Sequence, residues 1–166
     1  MTTSSDAAML TLPTDDQILV TREFDAPRHL VFEAFTKPEL VGRWWHANRG
    51  EVTVCEIDLR VGGKWRYAMV TLDGFEVGFH GEYTEVVPDE LVVSTETYEG
   101  LPEGVAEEDG TTVNTAVFTE SDGKTTLTIL IQATSKASRD AIIESGMELG
   151  LQDALSLLEQ TAQSLS

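Results

Sequence analysis

The run Glu76–Tyr98, EVGFHGEYTEVVPDELVVSTETY, carries the pattern that decides the fold. Two stretches rich in β-branched and aromatic residues, Glu76–Val87 and Leu91–Tyr98, flank Pro88-Asp89-Glu90. Such residues suit a pleated, half-buried surface and Pro-Asp is turn chemistry, so the run reads as a hairpin. The pattern continues outward on both sides. Upstream, Asp73-Gly74 joins the hairpin to a strand at Lys64–Thr71, and Val61-Gly62-Gly63 joins that strand to one at Glu51–Ile57. Downstream, Asp122-Gly123 separates strands at Thr112–Ser121 and Lys124–Ala133. Asp-Gly and Gly-Gly supply the positive-φ residues of tight turns. Strands joined so closely form an antiparallel meander, because a parallel pair needs a crossover of about a dozen residues. The exception is Glu99–Thr111, EGLPEGVAEEDGT, whose length, acidity and glycines predict a mobile loop.

Ahead of the meander, Gln17–Phe24 (QILVTREF) is a seventh strand candidate. Asp25-Ala-Pro27 then opens a short helix, with Asp25 as cap and Leu30, Val31, Ala34 and Phe35 at helical spacing. Thr36-Lys-Pro38 starts a second, ending near Trp44–Trp45. After the meander, periodicity predicts one helix over Ser138–Leu165, roughly 40 Å long at ~1.5 Å per residue. Ile143, Met147, Leu151, Ala154, Leu158, Thr161, Ala162 and Leu165 form its apolar stripe; Glu148, Gln152, Ser156, Glu159 and Gln163 lie opposite. This long helix is the element able to cover the apolar side of the sheet. The reading is an α+β domain over residues 15–166, a seven-stranded curved antiparallel sheet around a C-terminal helix. Residues 1–14, rich in Thr, Ser and Asp, are predicted to be a mobile lead-in.

Composition narrows the function classes. Twenty-nine acidic against 11 basic residues give a net charge of −18. Such a field repels phosphate backbones and anionic bilayers, so nucleic acid is not an expected partner. It suits either solubility in an acidic proteome or docking to a basic protein. No run approaches the length of a membrane span, and the N-terminus lacks the basic and apolar regions of a secretory signal, so a cytoplasmic address is expected. The single Cys55 excludes an internal disulfide. His29, His46 and His80 form no ligand-spaced cluster, so no metal or other cofactor is expected. There is no GxGxxG, P-loop or GxSxG motif.

The order of elements and four residue blocks resemble one family. The blocks are Arg22, Phe24, Ala26-Pro27, Val31-Phe32, Ala34-Phe35-Thr36, Pro38, Leu40 and Trp44-Trp45; then Asp58-Leu59-Arg60, Gly62-Gly63, Trp65-Arg66, Met69 and Asp73-Gly74; then Gly81, Tyr83, Glu85-Val86 and Pro88; then Met147, Gly150, Leu155 and Leu158. In order and spacing the chain resembles the Hsp90-ATPase-activator-homologue branch of the START/Bet v1-like superfamily. The resemblance implies a helix-grip fold with an apolar cavity between sheet and long helix, where members of the superfamily bind lipids, sterols or polyketides. The chain departs from the pattern at Val61, where proline is usual, and at Leu151, where tryptophan is usual. Leu151 enlarges or repacks that cavity.

The candidate cavity residues are Trp44, Trp45, Trp65, Tyr67, Met69, Phe79, Tyr83, Met147, Gly150, Leu151 and Ala154. Trp65, Tyr67 and Met69 alternate on one strand and share a face; plain core packing explains them as readily as a pocket wall. Adjacent Trp44 and Trp45 point different ways, so one is expected in the core and the other at the pocket entrance. Cys55 reads as an inert small hydrophobe, and Asp58, Arg60 and Arg66 as ion-pairing residues around the Gly-Gly turn. The first function reading is a domain binding a small apolar ligand such as a lipid or polyketide. The alternatives are a protein-interaction module of the Hsp90-activator type and, with no acid–base pair evident, a cavity cyclase or hydrolase. No particular ligand, catalytic residue or oligomeric state is implied.

Overall fold

The strands form one curved open sheet in the order β1-β2-β8-β7-β6-β5-β4-β3, every neighbour antiparallel. The structure is a computed structural model and describes residues 7–99 and 110–165. The strands are β1 (Met9–Thr11), β2 (Gln17–Phe24), β3 (Gly50–Ile57), β4 (Lys64–Thr71), β5 (Glu76–Val87), β6 (Leu91–Glu99), β7 (Thr111–Ser121) and β8 (Lys124–Gln132). The helices are α1 (Arg28–Thr36), α2 (Pro38–Val41), α3 (Lys136–Glu144) and α4 (Met147–Gln163). The meander expected from the turn residues is β3 to β8 in chain order, and β2 returns to pair with β8 from Gln17↔Gln132 to Phe24↔Thr125. Most of the loop predicted between β6 and β7 lies outside the described residues.

The sheet has eight strands where seven were expected. The extra one, β1, lies inside the predicted mobile lead-in; residues 1–6 of that lead-in are outside the described residues. Leu10 pairs with Val20, and Gln152 of α4 holds Ala8 through two bonds of 2.8 Å, accepting from its N–H and donating to its carbonyl. A side-chain amide offers both donor and acceptor, as a peptide does, so it ties this segment without an apolar period in the sequence.

The C-terminal helix is also not continuous. It breaks at Gly146, which adopts φ +86°, a conformation open to glycine at little cost. Ile143 falls before the break and is exposed, whereas the buried stripe runs through Ala154, Leu155, Leu158, Thr161 and Ala162. The short helices are capped differently from expectation. Pro27, not Asp25, is the N-cap of α1, and Lys37, not Thr36, precedes α2. Thr36 donates instead to the Phe32 carbonyl at 2.7 Å, and the Asp25 N–H goes to Glu159 Oε2 at 2.8 Å.

The core fills the concave side of the sheet. In β2, Ile18, Val20, Arg22 and Phe24 alternate inward and are almost wholly buried. Ile18, Val20 and Phe24 share one apolar cluster with Phe118, Leu127, Val31 and Phe32 and the α4 residues Leu155 and Leu158. Two Phe rings of α1, Phe32 and Phe35, sit edge-on to Phe118 at 5.2 and 5.4 Å. Arg22 is the one charged side chain in the β2 stripe. Its guanidinium lies 4.6 Å over the Phe24 ring and 3.4 Å from Glu159 on α4. Thus α4 is fixed to the sheet by a buried ion pair as well as by apolar packing.

Candidate functional site

Strand register brings an aromatic strip onto the half of the concave face that lies away from β2. Trp65 of β4 pairs with Gly81 of β5, and Tyr67 with Phe79, which in turn pairs with Tyr98 of β6. Residues paired across neighbouring strands share a face. The rings touch in sequence: Trp65–Tyr67 centroids are 4.7 Å apart, Trp45–Tyr67 5.5 Å, Trp45–Phe79 6.0 Å and Phe79–Tyr98 5.2 Å. Trp65 also donates its Nε1–H to the Thr95 carbonyl at 3.2 Å, which sets the indole across Gly81.

The two adjacent tryptophans lie in different surroundings. Trp44 is buried, stacked on Phe35 at 5.7 Å, and donates to the Ala34 carbonyl at 2.9 Å, so it belongs to the core. Trp45 is half-buried and faces the aromatic strip. Tyr83 is buried; burial pushes Tyr83 up to about 12 and Tyr67 well above its ordinary value. Met69 is half-buried at the outer end of the strip. On α4, Ala154 is buried, and Met147 and Leu151 are half-buried against the same apolar cluster as Tyr67 and Phe79. At Gly150 a Cβ would meet nothing within 4 Å. The fully buried residues of α4 lie in its later turns, from Ala154 to Ala162, and the helix packs on α1.

Polar residues also turn onto this face, and sequence reasoning missed them. Val92, Ser94, Glu96 and Tyr98 alternate along β6 on the side that carries the rings. Asn114 of β7 donates from Nδ2 to Glu96 Oε1 at 3.2 Å, and Thr112 donates to Asn114 Oδ1 at 2.9 Å. Glu96 retains partial solvent contact yet burial raises its carboxyl above the ordinary range, with the Asn114 bond opposing. Glu96 thus stands half-buried on the face that carries the rings, with Asn114 bonded to one of its oxygens. The signal in the sequence was the period-two alternation Val92, Ser94, Glu96, Tyr98 itself. Cys55, paired with Tyr67, is pushed up to about 11, chiefly by burial, and stays a thiol.

Other candidates lie elsewhere. His80 is on the convex face, where its Nδ1 is 2.9 Å from Glu99 Oε2 and Arg66 grips Glu99 through Nε at 2.9 Å and NH2 at 2.8 Å. Arg60 pairs with Asp58 at 2.9 Å, as the turn sequence suggested; Arg66 does not join them. The Arg66 bonds foremost hold the Glu99 carboxyl down to about 2. A depressed carboxyl stabilises the fold above the unfolded value and loses that contribution as pH falls through the folded one. The Glu99 share should therefore be intact above about pH 4.5 and vanish toward about pH 2. Carboxyl carbon NMR titration checks this; a midpoint at the ordinary glutamate value would mean the trio does not form in solution. A groove of about 490 Å³ lies between α1, α2 and the end of β3, lined by His29, Phe32, Glu33, Lys37, Ile57 and Leu59 among others. None of the eleven candidate residues borders it. Among the described residues no group of His, Cys, Asp or Glu is arranged to hold a metal ion, and no helix is long and apolar enough to cross a membrane.

Comparison with known proteins agrees with this architecture. The family model described as "Activator of Hsp90 ATPase homolog 1-like protein" matches residues 25–163. A crystal structure of a Rhodobacter sphaeroides protein superposes with a TM-score of 0.84 at 21% identity, covering 95% of this chain and 99% of that one. A solution structure from Arthrobacter aurescens gives 0.81 at 22%, covering 94% and 91%. One from Staphylococcus epidermidis gives 0.77 at 26%, covering 95% and 96%. No curated protein matches by sequence.

Proposed function

This chain belongs to the activator of Hsp90 ATPase homolog 1-like family, and on that premise we propose that it binds a small hydrophobic ligand between the concave face of the sheet and α4. The observation that carries the reading is the half-buried aromatic strip of Trp45, Tyr67, Phe79 and Tyr98 on this face, with Met147 and Leu151 of α4 half-buried against the same apolar cluster and no atom within 4 Å of where a Cβ at Gly150 would stand. Binding sites for small molecules have this character, apolar and aromatic walls with a few placed polar groups.

The test fills the space. Leu151→Trp restores the ring usual in the family, and Gly150→Leu adds a side chain where none stands. Titrated with the neutral apolar dye Nile red, the wild type should bind saturably. Both variants, shown by circular dichroism to be folded, should bind on the order of tenfold more weakly, a difference of about 1.4 kcal/mol. If the wild type takes up no dye, the ligand-binding reading loses its basis. The second reading, a protein-interaction module of the Hsp90-activator type, would then take its place; it is supported by the family description and by an acidic surface suited to a basic partner.

A further inference from the structure

We propose that the ligand of the concave face is a hydrophobic amine, its cationic head paired with the Glu96 carboxylate and its apolar body laid against the aromatic strip. This rests on the ligand-binding reading and adds the chemical class. The register that pairs His80 with Thr97 and Tyr83 with Ser94 sets Glu96 opposite Gly81, the residue over which Trp65 lies. Glu96 is thus placed between the rings of Trp65 and Tyr98 on a face with Tyr67 and Phe79. Only one of its oxygens is taken by the protein: Asn114 holds Oε1, Thr112 orients Asn114, and Oε2 has no protein partner among the described residues.

This geometry discriminates between guests. A purely apolar guest would exclude water from Oε2 and leave a charged acceptor unpaired, which is costly. A carboxylic acid would face the same charge and the −18 field of the whole molecule. An ammonium group offsets the desolvation of Glu96, donates to Oε2, and is attracted by the faces of surrounding rings. The bulk charge draws cations toward the molecule, and the fixed carboxylate selects where they sit.

The experiment compares 1-naphthylmethylamine with the neutral 1-naphthylmethanol by isothermal titration at pH 7, in the wild type, in Glu96→Gln and in Glu85→Gln. Glu85 is exposed, so its variant removes one charge outside the site. The wild type and Glu85→Gln should bind the amine about tenfold or more tighter than the alcohol, the scale of a charge-assisted hydrogen bond. Glu96→Gln should bring the amine to the level of the alcohol and leave the alcohol unchanged. Independently of any variant, the Glu96 carboxyl carbon signal should shift on adding the amine and not the alcohol. If the alcohol binds as well as the amine, the cleft reading stands and the amine proposal falls. If Glu96→Gln keeps the preference, net charge and not Glu96 creates it, and the proposal is overturned. If neither compound binds, both readings fall.

Discussion

Gly81→Ala is expected to lower the thermal midpoint by roughly 6–12 °C, the equivalent of about 3 kcal/mol in a domain of this size. A Cβ at position 81 would stand 1.8 Å from the Thr95 carbonyl oxygen and 2.7 Å from Trp65 Nε1. The first obstacle is backbone in the neighbouring strand and cannot swing aside. The second is the indole nitrogen bonded to that same carbonyl, so the methyl group would displace both ends of one hydrogen bond. The sheet must open between β5 and β6, and Trp65 must leave its contact with Tyr67, so probe binding should fall with stability. Gly150→Ala is the counterpart: its Cβ meets nothing, and alanine in a helix is favoured over glycine by about 1 kcal/mol, so the midpoint should rise. Thermal melts of the two proteins check the pair. A Gly81→Ala midpoint within a degree of wild type would show that the strands are not held as close as described.

The second large effect is expected at Glu159. Glu159→Leu leaves the Arg22 guanidinium, 2% exposed, without its carboxylate, and removes the acceptor of the Asp25 N–H at the turn into α1. Breaking a buried pair from one side costs about 3–5 kcal/mol; because Glu159 is itself 19% exposed, the low end applies, about 3 kcal/mol. Removing both charges in Arg22→Met with Glu159→Leu should recover most of this loss, since two apolar side chains suit the surrounding core. Urea unfolding of the two single variants and the double variant gives the coupling. A double variant no more stable than Glu159→Leu would mean that the Arg22 charge was not what made that substitution costly.

Local chemistry decided most of the sheet. The bounds of Gln17–Phe24, Lys64–Thr71 and Glu76–Val87 follow from period-two alternation ended by Gly, Pro and Asp, which act through φ preferences within a few residues. The buried stripe of α4 follows from its 3.6-residue period, and the charge of −18 is a property of composition alone. The family, too, was legible in residue order, because paired turns and helix faces recur at fixed spacing.

Tertiary structure decided what depends on a distant neighbour. Gly146 sits in an unbroken helical period, and only the folded chain shows the left-handed residue that ends α3 and starts α4. Met9–Thr11 becomes a strand because β2 has a free edge and Gln152, 144 residues away, can hold Ala8. Arg22 and Glu159 are 137 residues apart, and each alone reads as a surface charge. Glu96 alternates between two faces that are equivalent in the sequence. The ring contacts of Tyr98 with Phe79 and of Phe79 with Trp45, together with Asn114 from the next strand, establish which face is concave and hence that this carboxyl turns toward the rings. Alternation along a strand gives the partition of side chains between two faces; the identity of the inner face exists only once another layer has packed against one of them.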